Sequence, residues 1–249
     1  MKSELIIYIK QRFNLALFTG LALYIFLFNV PLKYLNIQSL VALGILLFSL
    51  FVLRLYDDLM QFKYDKGKPN RNYTQLEIRN ILFIYWIILA IVLLGLAALI
   101  SVKLSLTILT FLILNHVIYL LLINLKKIAS ILPLLKYLVF CGVLQVFYSS
   151  KMGIDFPMIA SSGALFFVFL TYETLEDPGF IFPFRFNYVF QIISYILILF
   201  LKPELTILLL MVIFLSISLL SVYFKTFKFP YLFLLLILFF KFIITNYVI

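Results

Sequence analysis

The chain has 249 residues, 65% of them hydrophobic and 12% charged, and carries a net charge of +10. Soluble domains carry about 25% charged residues, so a soluble fold is excluded and one integral membrane domain over 1–249 is expected. No polar basic domain is present to bind nucleic acid, and the lone Cys141 excludes an intrachain disulfide and argues against a zinc site.

The N-terminal stretch from Met1 to Arg12 lacks a small-residue cleavage site before the first apolar run, so no cleaved signal is expected there. A helix crossing a bilayer needs roughly 20 mostly apolar residues. Runs of that kind recur over 12–30, 37–56, 79–99, 103–124, 130–149, 156–173, 184–201, 204–223 and 229–248. They are continuous and not alternating, which excludes a β-barrel. The expected fold is therefore an all-α bundle of nine transmembrane helices. Between the fifth and sixth runs, Gly153, Asp155 and Pro157 leave only a short turn.

Basic residues fix the expected orientation. With Lys136 inside a span set aside, fourteen Lys and Arg fall on the side holding the N-terminus and the connection of spans two and three, against five on the other. The richer side is cytoplasmic by the positive-inside rule. The N-terminus is then inside and the C-terminus outside.

The second run ends in a concentration of charge: Arg54-Leu-Tyr-Asp57-Asp58-Leu-Met-Gln61-Phe-Lys63-Tyr-Asp65-Lys66-Gly-Lys68-Pro69-Asn70-Arg71. On a helix Asp58, Gln61 and Asp65 share a face, and Asp57 reaches Gln61. Carboxylates on one face backed by Lys and Arg suit Mg²⁺ bound together with an anion, because Mg²⁺ is usually held by one or two carboxylates plus substrate phosphates. The sixth run ends Tyr172-Glu173-Thr-Leu-Glu176-Asp177-Pro178, and Glu173, Glu176 and Asp177 again share a face. Nine spans put both acidic clusters on the cytoplasmic side, where they would hold Mg²⁺ and a diphosphate between them. The plainer alternative is that both are solvated helix ends at the membrane interface.

On these residues the chain resembles the UbiA superfamily of intramembrane prenyltransferases. That family has nine transmembrane helices and two Asp-rich motifs at cytoplasmic helix ends. Its first motif reads Asn-Asp-x-x-Asp-x-x-x-Asp. The run Asp57-Asp58-Leu-Met-Gln61-Phe-Lys-Tyr-Asp65 matches it in register, with Asp57 at the Asn position and Gln61 at the middle Asp. Pro69-Asn-Arg71 is similar to the basic segment that follows that motif. Glu173-Thr-Leu-Glu-Asp177 matches the second motif, Asp-x-x-x-Asp, loosely, and Asn124-Leu-Lys126-Lys127 is a partial counterpart of the basic segment after the fourth helix. The departures are Gln61, a neutral amide that adds no charge to a metal site, and Glu173, longer than the usual Asp.

The resemblance implies Mg²⁺-dependent use of an isoprenyl diphosphate, with transfer of the prenyl group to an apolar or aromatic acceptor inside the bilayer. Some relatives cyclise the chain instead, and a non-catalytic protein retaining the fold is a third possibility. Charge develops on the departing diphosphate, and metal and bases there lower the barrier most in a dry site. Asp58 and Asp65 are the expected catalytic residues, on the metal side with Asp57, while Glu173 and Asp177 would hold metal from the other cluster. Arg54, Lys68, Arg71, Lys126 and Lys127 are candidates for diphosphate contacts, against the alternative that they only mark the cytoplasmic side. Asn115, His116 and Tyr119 are a candidate acceptor pocket, against the alternative of a hydrogen-bonded histidine inside the bundle. A transporter fits less well, because the acids lie at helix ends and not at mid-membrane.

Overall fold

A computed structural model describes residues 2–29, 37–66, 74–122, 125, 131–136, 156–176, 180–199, 212–213, 215–220 and 223. Among these residues all regular structure is helical. The main helices are α1 (Lys2–Arg12), α2 (Leu15–Asn29), α3 (Ile37–Met60), α4 (Phe62–Asp65), α5 (Leu76–Ile100), α6 (Val102–Leu122), α7 (Phe156–Glu176) and α8 (Phe186–Leu199). Among the described residues three stretches, Leu40–Met60, Leu76–Ile100 and Val102–Leu122, are long and apolar enough to cross a membrane. The segments expected to span over 130–149, 204–223 and 229–248 lie mostly or wholly outside the described residues.

The chain divides into two compact units, one of Met1–Ala22 with Tyr34–Ala129 and the other of Leu23–Lys33 with Ser130–Ile249. In the first unit α3 packs on α5, α5 on α6, and α1 on α5. Two of these helices bury a narrow stripe and expose oil elsewhere. On α5 the buried residues are Leu82, Ala90, Leu93 and Ala97, and on α6 they are Leu104, Ile108, Phe111, Asn115 and Tyr119. Both sets follow the helical repeat of three and four residues. Their opposite faces carry exposed Ile84, Ile88, Ile91 and Leu99 on α5, and Ile113, Val117 and Leu121 on α6. Water would penalise such a surface, whereas lipid would not.

Ser101 alone joins α5 to α6. Its backbone is extended, its N–H donates to the Ala97 carbonyl at 2.9 Å, and the Ser105 hydroxyl donates to the Leu94 carbonyl at 3.0 Å. The joint is therefore tighter than the expected spans 79–99 and 103–124 imply, because capping by backbone and serine replaces a loop.

The first expected span, 12–30, is a single helix from Leu15 to Asn29, set off from what precedes it. The helix breaks at Phe13 and Asn14: the Phe13 N–H still donates to the Ile9 carbonyl at 2.9 Å, and the Asn14 side chain accepts the Leu17 N–H at 3.3 Å, starting α2. What precedes is a separate helix, α1, which lays Tyr8 against Leu55, Leu59 and Leu82, with Leu5, Ile9, Phe51 and Trp86 around them. Phe13 stacks on Phe18 at 4.2 Å and meets the Phe51 ring edge-on at 5.0 Å, anchoring the corner.

In the second unit α7 packs on α8. Gly163 brings the two helices close: a β-carbon there would stand 3.0 Å from Leu197 Cδ1. Phe167 meets Phe190 at 5.9 Å. Residue numbers rise on one helix as they fall on the other, so α7 and α8 run antiparallel.

Candidate functional site

The acids at the end of α3 and on α4 are buried. Asp57 is 1% exposed, Asp58 2% and Asp65 7%. Asp57 and Asp58 are consecutive on a helix, so they leave it about 100° apart and meet different neighbours.

Asp58 faces α1. Arg12 grips it with both arms of the guanidinium, Nε to Oδ2 at 2.9 Å and an Nη to Oδ1 at 2.8 Å. The Tyr8 hydroxyl donates to Oδ2 at 2.9 Å, and an Arg54 Nη lies 3.5 Å from Oδ1. Tyr8 and Arg12 are one turn apart on α1, as Arg54 and Asp58 are on α3, so two helical repeats bring four groups together. Forked guanidinium-to-carboxylate pairing of this kind is short and strong. Burial, and then the neighbouring Asp58 carboxylate, hold the Tyr8 phenol well above its usual pKa of 10.0, which keeps it a donor.

Asp57 faces α6. The Tyr119 hydroxyl donates to its Oδ1 at 2.9 Å. Beside this bond the Tyr56 hydroxyl pairs with His116 Nδ1 at 2.5 Å. The Tyr56 ring packs edge-on to Tyr119 at 5.5 Å and tilted to Trp86 at 5.0 Å. Asn115 is buried, while the His116 side chain lies on an exposed face of α6.

Past Met60 the chain bends at half-buried Gln61 and resumes as the short α4. The ladder crosses the bend, with Gln61 N–H donating to the Asp57 carbonyl at 2.9 Å and Asp65 N–H to the Gln61 carbonyl at 3.2 Å. The Arg79 guanidinium sits 3.6 Å from the Phe62 ring centre and pins α4 to α5.

Of the sequence candidates, Arg54, Asp57, Asp58, Asp65 and Tyr119 belong to the first unit's buried polar end or the turn beyond it. Glu173 is half-buried on α7 in the second unit. Lys68, Arg71, Lys126, Lys127 and Asp177 lie outside the described residues. Tyr8 and Arg12 were not among the sequence candidates. The available signal was their spacing of four residues at the edge of the first apolar run.

The donor set at Asp58 does not fit a metal ion. Both carboxylate oxygens are already committed to Arg12 and Tyr8, with Arg54 adding a second positive charge. Among the described residues no group of three or more His, Cys, Asp or Glu side chains is placed to hold one.

No protein-family model, curated protein or solved structure matches the chain. The resemblance to the UbiA superfamily therefore rests on the motif residues and the pattern of apolar runs.

Proposed function

We propose that the chain is an integral membrane protein of UbiA type, with nine spans, that takes an isoprenyl diphosphate at the cytoplasmic end of α3 and transfers its prenyl group to an apolar acceptor. The observation that carries this reading is the burial of Asp57 and Asp58, the residues in register with the first UbiA motif, within a largely apolar helical unit, with half-buried Arg12 paired to Asp58. Ionisable groups inside a membrane bundle are costly and mark function by default. Arg12 and Arg54 are the cations that the described residues place on Asp58. A diphosphate would compete with Asp58 for their guanidinium forks, which bind phosphate oxygens as they bind carboxylates. As the allylic C–O bond breaks, these same cations would stabilise the charge gathering on the leaving group. Mg²⁺ is part of what the resemblance implies, so its contribution is a variable of the assay.

A second reading is favoured by one specific observation, the complete use of Asp58 within the protein. In that reading the cluster only fastens α1 to α3, and the fold is kept without catalysis.

The full chain, purified into lipid nanodiscs, is incubated with farnesyl or geranylgeranyl diphosphate and a membrane lipid extract, across a range of Mg²⁺ and in chelator. Diphosphate release is expected from the native chain, and loss of most of it in Asp57→Asn and Asp65→Asn. Release without extract, accompanied by a cyclic hydrocarbon, identifies a cyclase. Absence of release with either donor at every Mg²⁺ concentration sinks the transferase and leaves the structural reading.

A further inference from the structure

At the α1 end of the first unit, burial sorts the charges. Asp57, Asp58 and Asp65 are buried, and Glu4 is half-buried. Lys10 on α1, Lys63 on α4 and Lys66 just past α4 are exposed. Among the described residues at this end, Glu77 at the start of α5 is the exposed acid set against those three lysines. The acids face inward and the outer surface is basic.

α1 carries this surface in a form suited to lipid. Its 11 residues span about 16 Å, roughly half of a hydrocarbon core of about 30 Å, and Lys10 and Arg12 stand in its last turn. It is too short to cross a bilayer. One face is taken up inside the unit: Leu5, Tyr8 and Ile9 pack against Leu55, Leu59 and Leu82, and Arg12 reaches Asp58. The opposite face carries Ile6, 52% exposed, Ile7, 45% exposed, and Lys10. Lys10 follows Ile6 by four residues and Ile7 by three, so the three side chains are neighbours on the helix surface.

Water gains nothing from contact with a pair of isoleucines, whereas acyl chains accept them. A lysine stem lies along apolar surface while its ammonium reaches for polar groups. Apolar side chains beside a base are the pattern of a helix resting in the headgroup region. Charge then selects the lipid, because a basic surface is complementary to an anionic leaflet and each Lys near it adds about fivefold in affinity. We propose that the outer face of α1 docks on anionic phospholipid, with Ile6 and Ile7 among the upper acyl chains and Lys10 on a headgroup phosphate. α1 then stands between the leaflet and Asp58, holding lipid on one face and the carboxylate, through Tyr8 and Arg12, on the other. This surface goes beyond the diphosphate chemistry proposed above and stands without it.

The test uses the full chain in nanodiscs of equal parts phosphatidylcholine and phosphatidylglycerol, with no diphosphate present. Ile6→Trp adds an indole to the outer face, and the native chain, whose single tryptophan is Trp86, supplies the background to subtract. Each lipid in turn is replaced by a form brominated near the top of its acyl chains, and iodide probes from the water. Both brominated lipids should quench the added emission, with phosphatidylglycerol preferred at least about fivefold in apparent exchange constant. Lys10→Gln added to Ile6→Trp should lower that preference about fivefold. Both substitutions fall at exposed positions, so the packed face of α1 is left intact. Three outcomes overturn the surface: quenching by iodide and by neither lipid, equal quenching by the two lipids, or a preference that Lys10→Gln leaves unchanged. Because quenching reads no turnover, failure of the prenyl-transfer assay and failure of this surface are separate results.

Discussion

Arg12→Met removes the partner that grips Asp58 with two bonds of 2.8 and 2.9 Å while keeping the length and oiliness of the side chain. Hydrogen bonds to charged groups contribute roughly 1.5–3 kcal/mol each, and stripping one partner from a buried ion pair costs roughly 3–5 kcal/mol. Arg54, 3.5 Å from the same carboxylate, and the Tyr8 hydroxyl offset part of that loss. In a bilayer the unfolded reference also finds partners, which lowers the value further. The expected destabilisation is about 2–4 kcal/mol. Asp58→Leu in the Arg12→Met background replaces the pair by apolar groups, and such replacements are often neutral. The double variant should recover most of the loss, although Tyr8 then lacks its acceptor. The coupling energy between the two positions should be about 2–3 kcal/mol. SDS-induced unfolding of the four proteins in mixed micelles, followed by circular dichroism, measures it. A single Arg12→Met cost below about 1 kcal/mol, with a double variant equal to the sum of the singles, refutes the clamp.

Two further outcomes are expected. The Tyr8 phenol has its pKa raised in the folded chain. The folded state therefore retains a proton that the unfolded state releases above pH 10, and the stability contributed by Tyr8 is full below that pH and falls as pH rises through the raised pKa. The native chain should lose stability more steeply than Tyr8→Phe in unfolding titrations above pH 10, and parallel curves would remove Tyr8 from the network. For topology, a cysteine introduced at Asn70 should be shielded from an impermeant thiol reagent in intact cells, and one added after Ile249 should be labelled. The reverse labelling overturns the orientation drawn from the basic residues.

Composition and periodicity were enough to mark α3, α5 and α6 as helices fit to cross a membrane, because a backbone in oil must satisfy its own hydrogen bonds within the segment. They also picked out the charged end of α3, since Asp57, Asp58 and Asp65 stand out against apolar neighbours. Which partner each acid meets was not legible. Arg12 and Tyr8 lie 46 and 50 residues from Asp58, and Tyr119 lies 62 from Asp57. Only the packing of α1 and α6 at the end of α3 brings them within reach. The same holds for the break at Phe13 and Asn14, which sets α1 apart from the apolar run of α2 and leaves Tyr8 packed on Leu55 and Leu82. Asn187 and Gln191 read in the sequence as ordinary polar residues of an apolar helix. Their burial without hydrogen-bond partners comes from the packing of α8 in the second unit, which the local pattern does not show.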